Sequence, residues 1–353
     1  MQDSSSRKRQ LVPMSCTSAI FALGGFAVVL WLLYGNDFRG VLRAVAALSG
    51  GLAIVVLIRG IIVALCGLAW WRLLTALTMV PLRVVLVLRM VGEAVNVLLP
   101  VAAVGGDIVR TRLLSFRHVS GGHAVASALV DLLLEAAAQV LFALFGVALL
   151  MQSVGVTDIA LWALGVLGIA ALALGGFFAG QRFGGARIVE RGLCALARRW
   201  PATSLASGVR LHDSLQTIYA DRSAIAIAFL LHGLAWLLGS LEVWIGSWLM
   251  GAPISITEAV ILESLSQGLR STAFVVPSGL GVQEGGFIAL GSLLGISPEI
   301  ALALSFVKRV PDLAIGLPGL PAWYWLELRR LTTVPGVAWA PGSQPFCSAL
   351  RRN

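Results

Sequence analysis

The sequence predicts an all-α polytopic membrane protein, and three observations support this fold class. Of the 353 residues, 58% are hydrophobic and 12% are charged, whereas soluble proteins carry roughly 25% charged residues. Several apolar runs reach the roughly 20 residues that a helix needs to cross a bilayer. Two shorter runs are interrupted by proline, glycine and charged side chains. We therefore expect about six spanning helices and two re-entrant helical hairpins, arranged as an inverted repeat.

The basic excess of the chain comes almost wholly from arginine. The formal net charge is +9, and Lys8 and Lys308 are the only lysines. The arginines cluster between apolar runs, which is typical of cytoplasmic loops in membrane proteins. Because they flank the spans and do not line one soluble face, we expect no nucleic-acid partner.

The cysteines predict neither a disulfide framework nor a metal centre. No C-x-x-C pair occurs, and no histidine lies at ligand spacing from any of them. We interpret them as small buried or interfacial hydrophobic residues, and we expect no cofactor and no metal. They are Cys16, Cys66, Cys194 and Cys347.

The first half begins with a cytoplasmic tail at residues 1–15. Spans are predicted at residues 16–34 and 52–71. Arg59 lies near the middle of the second span, where a charge costs at least ~2.5 kcal/mol unless it faces the interior of the bundle. It is either a cavity residue or a snorkelling one. Residues 72–89 are basic and amphipathic, which predicts a cytoplasmic segment at the membrane interface.

A short apolar stretch at residues 91–104 and the glycine pair after it predict the first re-entrant hairpin, which enters from the cytoplasmic side. A tight loop between two ordinary spans is the alternative. Non-helical backbone survives in a membrane only where protein or water surrounds it, so we expect the residues around the break to line a substrate path. They are Glu93, Asn96, Pro100, Gly105, Gly106, Asp107 and Arg110.

The third span, residues 124–151, completes the first half, which covers residues 16–151. It carries Asp131 and Glu135 four residues apart and therefore on one helix face. Carboxylates inside a membrane require a cation, a proton or water nearby. We expect one of the two to pair with Lys308 or Arg309 in the last span.

The second half, residues 157–328, is predicted to run in the opposite orientation. Its basic segment at residues 181–222 and the tail at residues 329–353 are expected in the cytoplasm. We interpret His232 as a buried bundle histidine. The spans are predicted at residues 159–180, 223–250 and 298–328, the last one broken by Pro311 and Pro318.

The second re-entrant hairpin is predicted within residues 256–286 and opens from outside. Like the first, it places a charged residue seven positions before a proline and an acidic residue seven positions after it. Corresponding broken helices in two halves point to a binding site in a transporter. The alternative is that Arg270 and Glu284 neutralise one another and lock the fold. The expected site residues here are Arg270, Pro277, Gly279, Gly281 and Glu284.

These segments resemble a known family. The stretches Glu93-x-x-Asn96-x-Leu-Leu-Pro100, Gly105-Gly106-Asp107-x-x-Arg110, Val-Pro277-x-Gly-x-Gly-Val-Gln-Glu284-Gly-Gly and Ala-Leu-Ser-Phe-Val-Lys308-Arg309 carry the likeness. They resemble the flippase-like superfamily that is named for the membrane region of lysylphosphatidylglycerol synthase. Within it, residues 270–323 most resemble the hopanoid-biosynthesis-associated integral membrane protein family.

The resemblance implies a multi-pass protein of the bacterial cytoplasmic (inner) membrane that moves a lipid between leaflets. A hopanoid or a polar-headgroup lipid is the implied substrate, and lipid-biosynthesis enzymes are expected partners. The sequence ends at Asn353 without a soluble aminoacyl-transferase domain, so lipid aminoacylation is not expected.

Two other functions stay open from the residues. Asp131 and Glu135 could serve as acid and base of an intramembrane lipid-modifying enzyme. No H-E-x-x-H or G-x-S-x-G motif accompanies them, however, and we expect no enzymatic activity. The second alternative is a non-transporting scaffold of a lipid-biosynthesis complex.

Overall fold

A computed structural model describes residues 51–99, 105–117, 119–183, 211–272, 276 and 279–333. This part of the chain contains ten α-helices and no β-strand. The helices are α1 Leu52–Thr75, α2 Leu82–Leu98, α3 Gly105–Ser115, α4 Gly121–Val154, α5 Asp158–Phe183, α6 Leu211–Ala220, α7 Arg222–Leu249, α8 Ile256–Thr272, α9 Val282–Leu293 and α10 Pro298–Thr333. The predicted first span, both tails for the most part, most of the basic segment, Pro100 and Pro277 lie outside the described residues.

Four of these helices, α1, α4, α5 and α7, are long and apolar enough to cross a membrane. They agree with the spans predicted second to fifth. The shortest of them, α1, has 24 residues and is about 36 Å long at 1.5 Å per residue. A hydrocarbon core is about 30 Å thick, so each helix can span it. The predicted multi-pass membrane architecture is thereby supported.

One of these helices begins at a clear local signal. Asp221 precedes α7, and its side chain accepts a hydrogen bond of 2.9 Å from the backbone N–H of Ala224. This bond lowers the pKa of the Asp221 carboxyl from its usual value. An aspartate at this position satisfies one of the free N–H groups at a helix start.

The last helix differs from its prediction. Helix α10 is continuous over 36 residues, with Pro311, Pro318 and Pro321 inside it, so the predicted breaks are wrong. Proline removes a backbone donor, but in membrane proteins neighbouring helices can satisfy the freed groups. Helix α10 packs closely along α2: a Cβ added to Gly319 would lie 2.4 Å from the Cβ of Ala94.

The structure of residues 72–89, which precede the first break, also differs from the prediction. Residues 72–89 do not form one interfacial segment, because α1 continues to Thr75 and α2 begins at Leu82. Arg89, in the middle of α2, is only 5% exposed. Residues three and four apart share a helix face, so Arg89 is carried into the bundle with the buried Val85 and Gly92.

Each half contains a helix, a break and a second helix. In the first, α2 and α3 approach backbone to backbone: a Cβ on Gly106 would lie 2.1 Å from the carbonyl oxygen of Gly92. The Gly106 N–H also donates to Asn96 Oδ1 at 2.7 Å. In the second, Gly279 and Gly281 adopt φ angles of 59° and 79° just before α9, a conformation that favours glycine.

The two halves interlock in a regular way. The neighbouring contacts α1 to α2, α2 to α3 and α3 to α4 recur as α7 to α8, α8 to α9 and α9 to α10. Between the halves, α1 packs extensively on α7, while α10 packs on α2 and α4 packs on α8. Each of these contacts therefore has a counterpart between the equivalent helices of the two halves: α10 on α2, for example, corresponds to α4 on α8.

The apolar core is divided into several clusters. One joins the second part of α4 to α8, α9 and the start of α10, and another joins α1 to α2 and α3. Leu211, Leu215 and Ile218 of α6 belong to a third cluster that includes α4. The end of the basic segment at residues 181–222 is thus packed against the bundle. The middle portions of α4, α7 and α10 carry charged side chains instead.

Candidate functional site

Buried and half-buried charged side chains form two clusters within the bundle. We call the first the Asp131 cluster, and it consists of Arg89, Glu93, Asp107, Arg110, Asp131, Glu135 and His232. We call the second the Lys308 cluster, and it consists of Arg59, Glu242, Glu263, Arg270, Lys308 and Asp312.

Asp131 is the centre of the first cluster and is fully buried on α4. Its Oδ2 accepts hydrogen bonds from Arg110 Nη2 at 2.9 Å and from Arg89 Nη1 at 3.4 Å. Its Oδ1 lies 3.0 Å from Nε2 of His232. Helices α2, α3 and α7 each supply one of these partners, so a single carboxylate ties three helices to α4.

The two arginines of the Asp131 cluster reach further carboxylates. Arg89 donates to both oxygens of Glu135, at 2.9 and 3.1 Å, and its Nε donates to Glu93 at 3.0 Å. This fork is the strong bidentate form of an arginine–carboxylate pair. Arg110 Nε donates to Asp107 Oδ1 at 2.8 Å. Four carboxylates thus share two guanidinium groups, which leaves the cluster acidic.

Lys308 is the centre of the second cluster and is 2% exposed on α10. Its Nζ donates to Glu242 at 2.6 Å, to Glu263 at 2.9 Å and to the carbonyl of Gly239 at 3.3 Å. These bonds use all three donors of an ammonium group.

Two arginines complete the Lys308 cluster. Arg59 Nη2 donates to Glu242 at 2.7 Å, and its Nε lies 3.4 Å from Asp312 Oδ1. Arg270 Nη1 lies 3.7 Å from Asp312 Oδ2. Arg59 is therefore a half-buried residue of the bundle interior and not a snorkelling one. Three cationic groups face three carboxylates, so this cluster is balanced.

The expected pairing of Asp131 or Glu135 with Lys308 or Arg309 is wrong. Asp131 and Glu135 take their partners from α2, α3 and α7, and Lys308 takes its partners from α7 and α8. The reason is packing: α4 and α10 are not main neighbours, because each lies against other helices.

The alternative, in which Arg270 and Glu284 neutralise one another, is also wrong, because each pairs with another residue. Glu284 is fully buried and pairs with Arg309 at 2.9 Å. Its other oxygen accepts a hydrogen bond of 2.8 Å from the backbone N–H of Gly281. A glutamate in the first helical turn that reaches back to the N-cap N–H satisfies a free donor there. The contacts of Glu284 thus stabilise the start of α9.

A cavity of about 300 Å³ lies between the two clusters. Residues next to both breaks line this cavity. Asp131 and Lys308 are not among the lining residues, and they hold in place the charged side chains that are. Of the predicted site residues, Glu93, Asn96, Asp107, Arg110, Glu135, Arg270 and Gly279 line the cavity, whereas Gly105, Gly106, Gly281, Glu284 and Arg309 do not. The other charged or titratable lining residues are Arg59, Cys66, Arg89, His232, Glu263 and Asp312.

Several polar atoms of the cavity wall have no hydrogen-bond partner. They include Arg110 Nη1, His232 Nδ1 and Glu263 Oε2. Buried polar groups are usually satisfied by protein or water, so these three atoms keep unused hydrogen-bonding capacity. The arrangement can hold a headgroup that carries charges of either sign.

The sequence does not predict that four members of the two clusters belong to the site. These members are Arg89, Glu242, Glu263 and Asp312. One regularity of the sequence relates four positions of the two clusters. Asp131 and Lys308 each lie 31 residues beyond the proline of their half, and Glu135 and Asp312 each lie 35 residues beyond it.

No curated protein matches this sequence. The profile of the family described as the lysylphosphatidylglycerol synthase TM region matches residues 18–319. The match covers most of the chain and contains both broken helices, both clusters and the cavity between them. The chain therefore belongs to the lysylphosphatidylglycerol synthase TM region family.

Proposed function

We propose that this protein is a flippase-like translocator that moves a polar-headgroup lipid between the two leaflets of a membrane. The observation that carries the proposal is the polar cavity lined by both broken helices. A headgroup cannot cross hydrocarbon at low cost, so a translocator needs a polar path inside the protein. Membership of a membrane family named for a lipid synthase supports a lipid-related role.

A hopanoid or a related lipid is the substrate that we propose, on the strength of the sequence resemblance of residues 270–323. Lipid-biosynthesis enzymes are the proposed protein partners, because a newly made lipid must be delivered to the cavity. The proposed location is the bacterial cytoplasmic membrane. Leaflet-resolved lipidomics of a deletion strain would identify the lipid that changes sides.

Alternating access is the mechanism that we propose. The equal spacings of 31 and 35 residues and the paired helix contacts support an inverted repeat with about six spans and two re-entrant hairpins. Rocking of one half against the other would open the cavity first to one side of the membrane and then to the other.

The topology that goes with this mechanism places the N-terminus, residues 181–222 and the C-terminus in the cytoplasm. A single cysteine placed near Arg198 should then not react with a membrane-impermeant reagent added outside intact cells. Reaction from outside would overturn the proposed orientation.

An intramembrane enzyme is less well supported than a translocator. A general acid or base must exchange a proton with its substrate. Asp131 is buried and contacts Arg89, Arg110 and His232, and both oxygens of Glu135 accept hydrogen bonds from Arg89. These contacts favour the ionised carboxylates and orient the wall of the cavity. We therefore assign neither residue a catalytic role.

The test compares charged residues that line the cavity with one that does not. Full-length protein is reconstituted into vesicles with a fluorescent polar-headgroup lipid, and the rate of lipid movement is divided by the amount of folded protein. Glu93→Gln and Arg270→Gln should each lower this rate about tenfold or more. Losing one hydrogen bond to a charged group is worth about 1.5–3 kcal/mol, and about 1.4 kcal/mol corresponds to a factor of ten in rate.

Glu284→Gln is the matched control, because it removes a buried charge that does not line the cavity. It should lower the unfolding temperature and leave the rate per folded molecule unchanged. Unchanged rates for both cavity variants would exclude the cavity as the lipid path. If the wild-type protein moves lipid no faster than protein-free vesicles, the scaffold alternative is favoured.

A further inference from the structure

Three side chains from three helices meet at one side of the cavity. Cys66 lies on α1, Glu135 on α4 and His232 on α7. One ligand atom from each of these side chains lies within 4.8 Å of the other two. A sulfur, a carboxylate oxygen and an imidazole nitrogen are thus close enough to bind a single ion after small shifts.

The contacts of His232 leave one ring nitrogen available. Its side chain is fully buried, and Nε2 lies 3.0 Å from Asp131 Oδ1. Nδ1 has no hydrogen-bond partner. When Nε2 donates its proton to Asp131, the lone pair of the imidazole lies on Nδ1. Metal-binding histidines commonly donate their second ring N–H to a carboxylate in this way, which orients the ring and increases its basicity.

The other two side chains are also held in place. Glu135 accepts two hydrogen bonds from Arg89, and ligating carboxylates are usually hydrogen-bonded in turn. Cys66 is a free, buried cysteine at 6% exposure.

The charge of the surroundings favours a cation. In the Asp131 cluster, four carboxylates share two guanidinium groups. Protonation of His232 would still leave one negative charge in excess. In the Lys308 cluster, three carboxylates face three cationic groups. A divalent ion is therefore expected at the Asp131 cluster and not at the Lys308 cluster.

We propose that Cys66, Glu135 and His232 bind a divalent transition-metal ion, with Zn²⁺ as the best fit to this ligand set. Zinc binds thiolate, imidazole and carboxylate ligands, and sites with three protein ligands leave a fourth position open. The S–H bond of Cys66 breaks as the sulfur–zinc bond forms, and the proton passes to solvent water. Water or an oxygen atom of a bound headgroup takes the fourth position. The site does not depend on the proposed lipid translocation.

The sequence predicts no metal, and the structure shows why spacing could not find this site. The three ligands are separated by 69 and 97 residues. Spacing rules find ligands that lie within one turn or loop of each other. Here the packing of α1, α4 and α7 brings them together.

The test uses Co²⁺ as a spectroscopic substitute for Zn²⁺ in the full-length protein. Cys16, Cys194 and Cys347 are replaced by serine, so that Cys66 is the only thiol. The protein is purified, treated with a chelator and titrated with Co²⁺. We expect one ion per chain and a thiolate-to-cobalt charge-transfer absorption in the near ultraviolet, which Zn²⁺ removes by displacement.

Further variants distinguish the ligands from their surroundings. Cys66→Ser should abolish the charge-transfer absorption. Asp131→Asn should keep it but weaken Zn²⁺ binding about 10–100-fold, the usual effect of losing the partner of a ligating histidine. Glu93→Gln removes a carboxylate of the same cluster that is not a ligand, and it should keep the absorption.

Either of two results would overturn the proposal. In the first, the protein with Cys66 as its only thiol binds no stoichiometric Co²⁺ or shows no charge-transfer absorption. Cys66 and His232 would then form a thiol–imidazole contact without a metal. In the second, the absorption persists in Cys66→Ser. The first result needs no substitution of a ligand, so a folding defect of the Cys66→Ser protein does not affect it.

Discussion

The Asp131 cluster and the Lys308 cluster have centres of opposite charge. In the sequence, Asp131 and Lys308 each lie 31 residues after the proline of their half. Asp131 collects Arg89, Arg110 and His232, whereas Lys308 collects Glu242 and Glu263. Equivalent positions thus share burial and location without sharing the sign of the charge. In each cluster, side chains of opposite charge on the neighbouring helices pair with the central residue.

Each cluster also contains a residue from the other half of the chain. Arg59 of α1 belongs to the Lys308 cluster, and His232 of α7 belongs to the Asp131 cluster. These helices correspond to the second predicted span of each half, and each contributes to the cluster of the other half. This exchange explains how buried charges can fasten the two halves together around a cavity.

Charge balance is the main difference between them. The Lys308 cluster neutralises itself, which suits a structural role. The Asp131 cluster has more carboxylates than cationic groups, which suits a site that receives a cation from outside.

Lys308→Met should produce the largest loss of stability. It leaves Glu242 and Glu263 buried with one cation fewer, and breaking a buried ion pair by removing one partner costs about 3–5 kcal/mol. The loss is measured as a fall in the free energy of unfolding of the purified protein in detergent, together with its abundance in the membrane.

The double variant Lys308→Met with Glu263→Gln is the control, because it restores the charge balance. It should recover part of the lost stability. If Lys308→Met unfolds at the wild-type temperature, the Lys308 cluster does not hold the bundle together.

Asp131→Asn should cost less, about 1.5–3 kcal/mol for the loss of hydrogen bonds to a charged group. Arg89 keeps Glu135 and Glu93 as partners, and Arg110 keeps Asp107. The excess of carboxylates is also relieved. Both variants should be unfolded under identical conditions, and a loss for Asp131→Asn as large as that for Lys308→Met would contradict the proposed difference between the clusters.

Gly106→Ala should show a difference between the two broken helices. The new Cβ would lie 2.1 Å from the carbonyl oxygen of Gly92, and overpacking of this kind costs about 1–3 kcal/mol. Gly285→Ala in α9 is the matched control, because nothing lies within 4 Å of its added Cβ. The control should be neutral or stabilise by up to about 1 kcal/mol, since alanine favours a helix.

Thermal unfolding of both glycine variants measures this difference. Equal effects at the two positions would mean that the close approach of α2 and α3 is not needed.

The amino-acid sequence was sufficient to predict the helical membrane class and the four apolar spans that the structure describes. Hydropathy and the backbone preferences of glycine act over short stretches, and local chain segments reveal them. Glu93, Asp107 and Arg270 are site residues that the sequence predicts from their positions next to the breaks, and they line the cavity.

Which charged side chains meet depends on how the helices pack against one another. The sequence contains several acidic and basic residues within its apolar stretches, and many different pairings of them would offset the cost of burying a charge. Arg89 turns inward because of its place on α2, Lys308 meets Glu242 and Glu263, and Cys66 meets His232. Ion pairs and ligand sets depend on which helices pack side by side, and this packing depends on the shapes of whole helix faces.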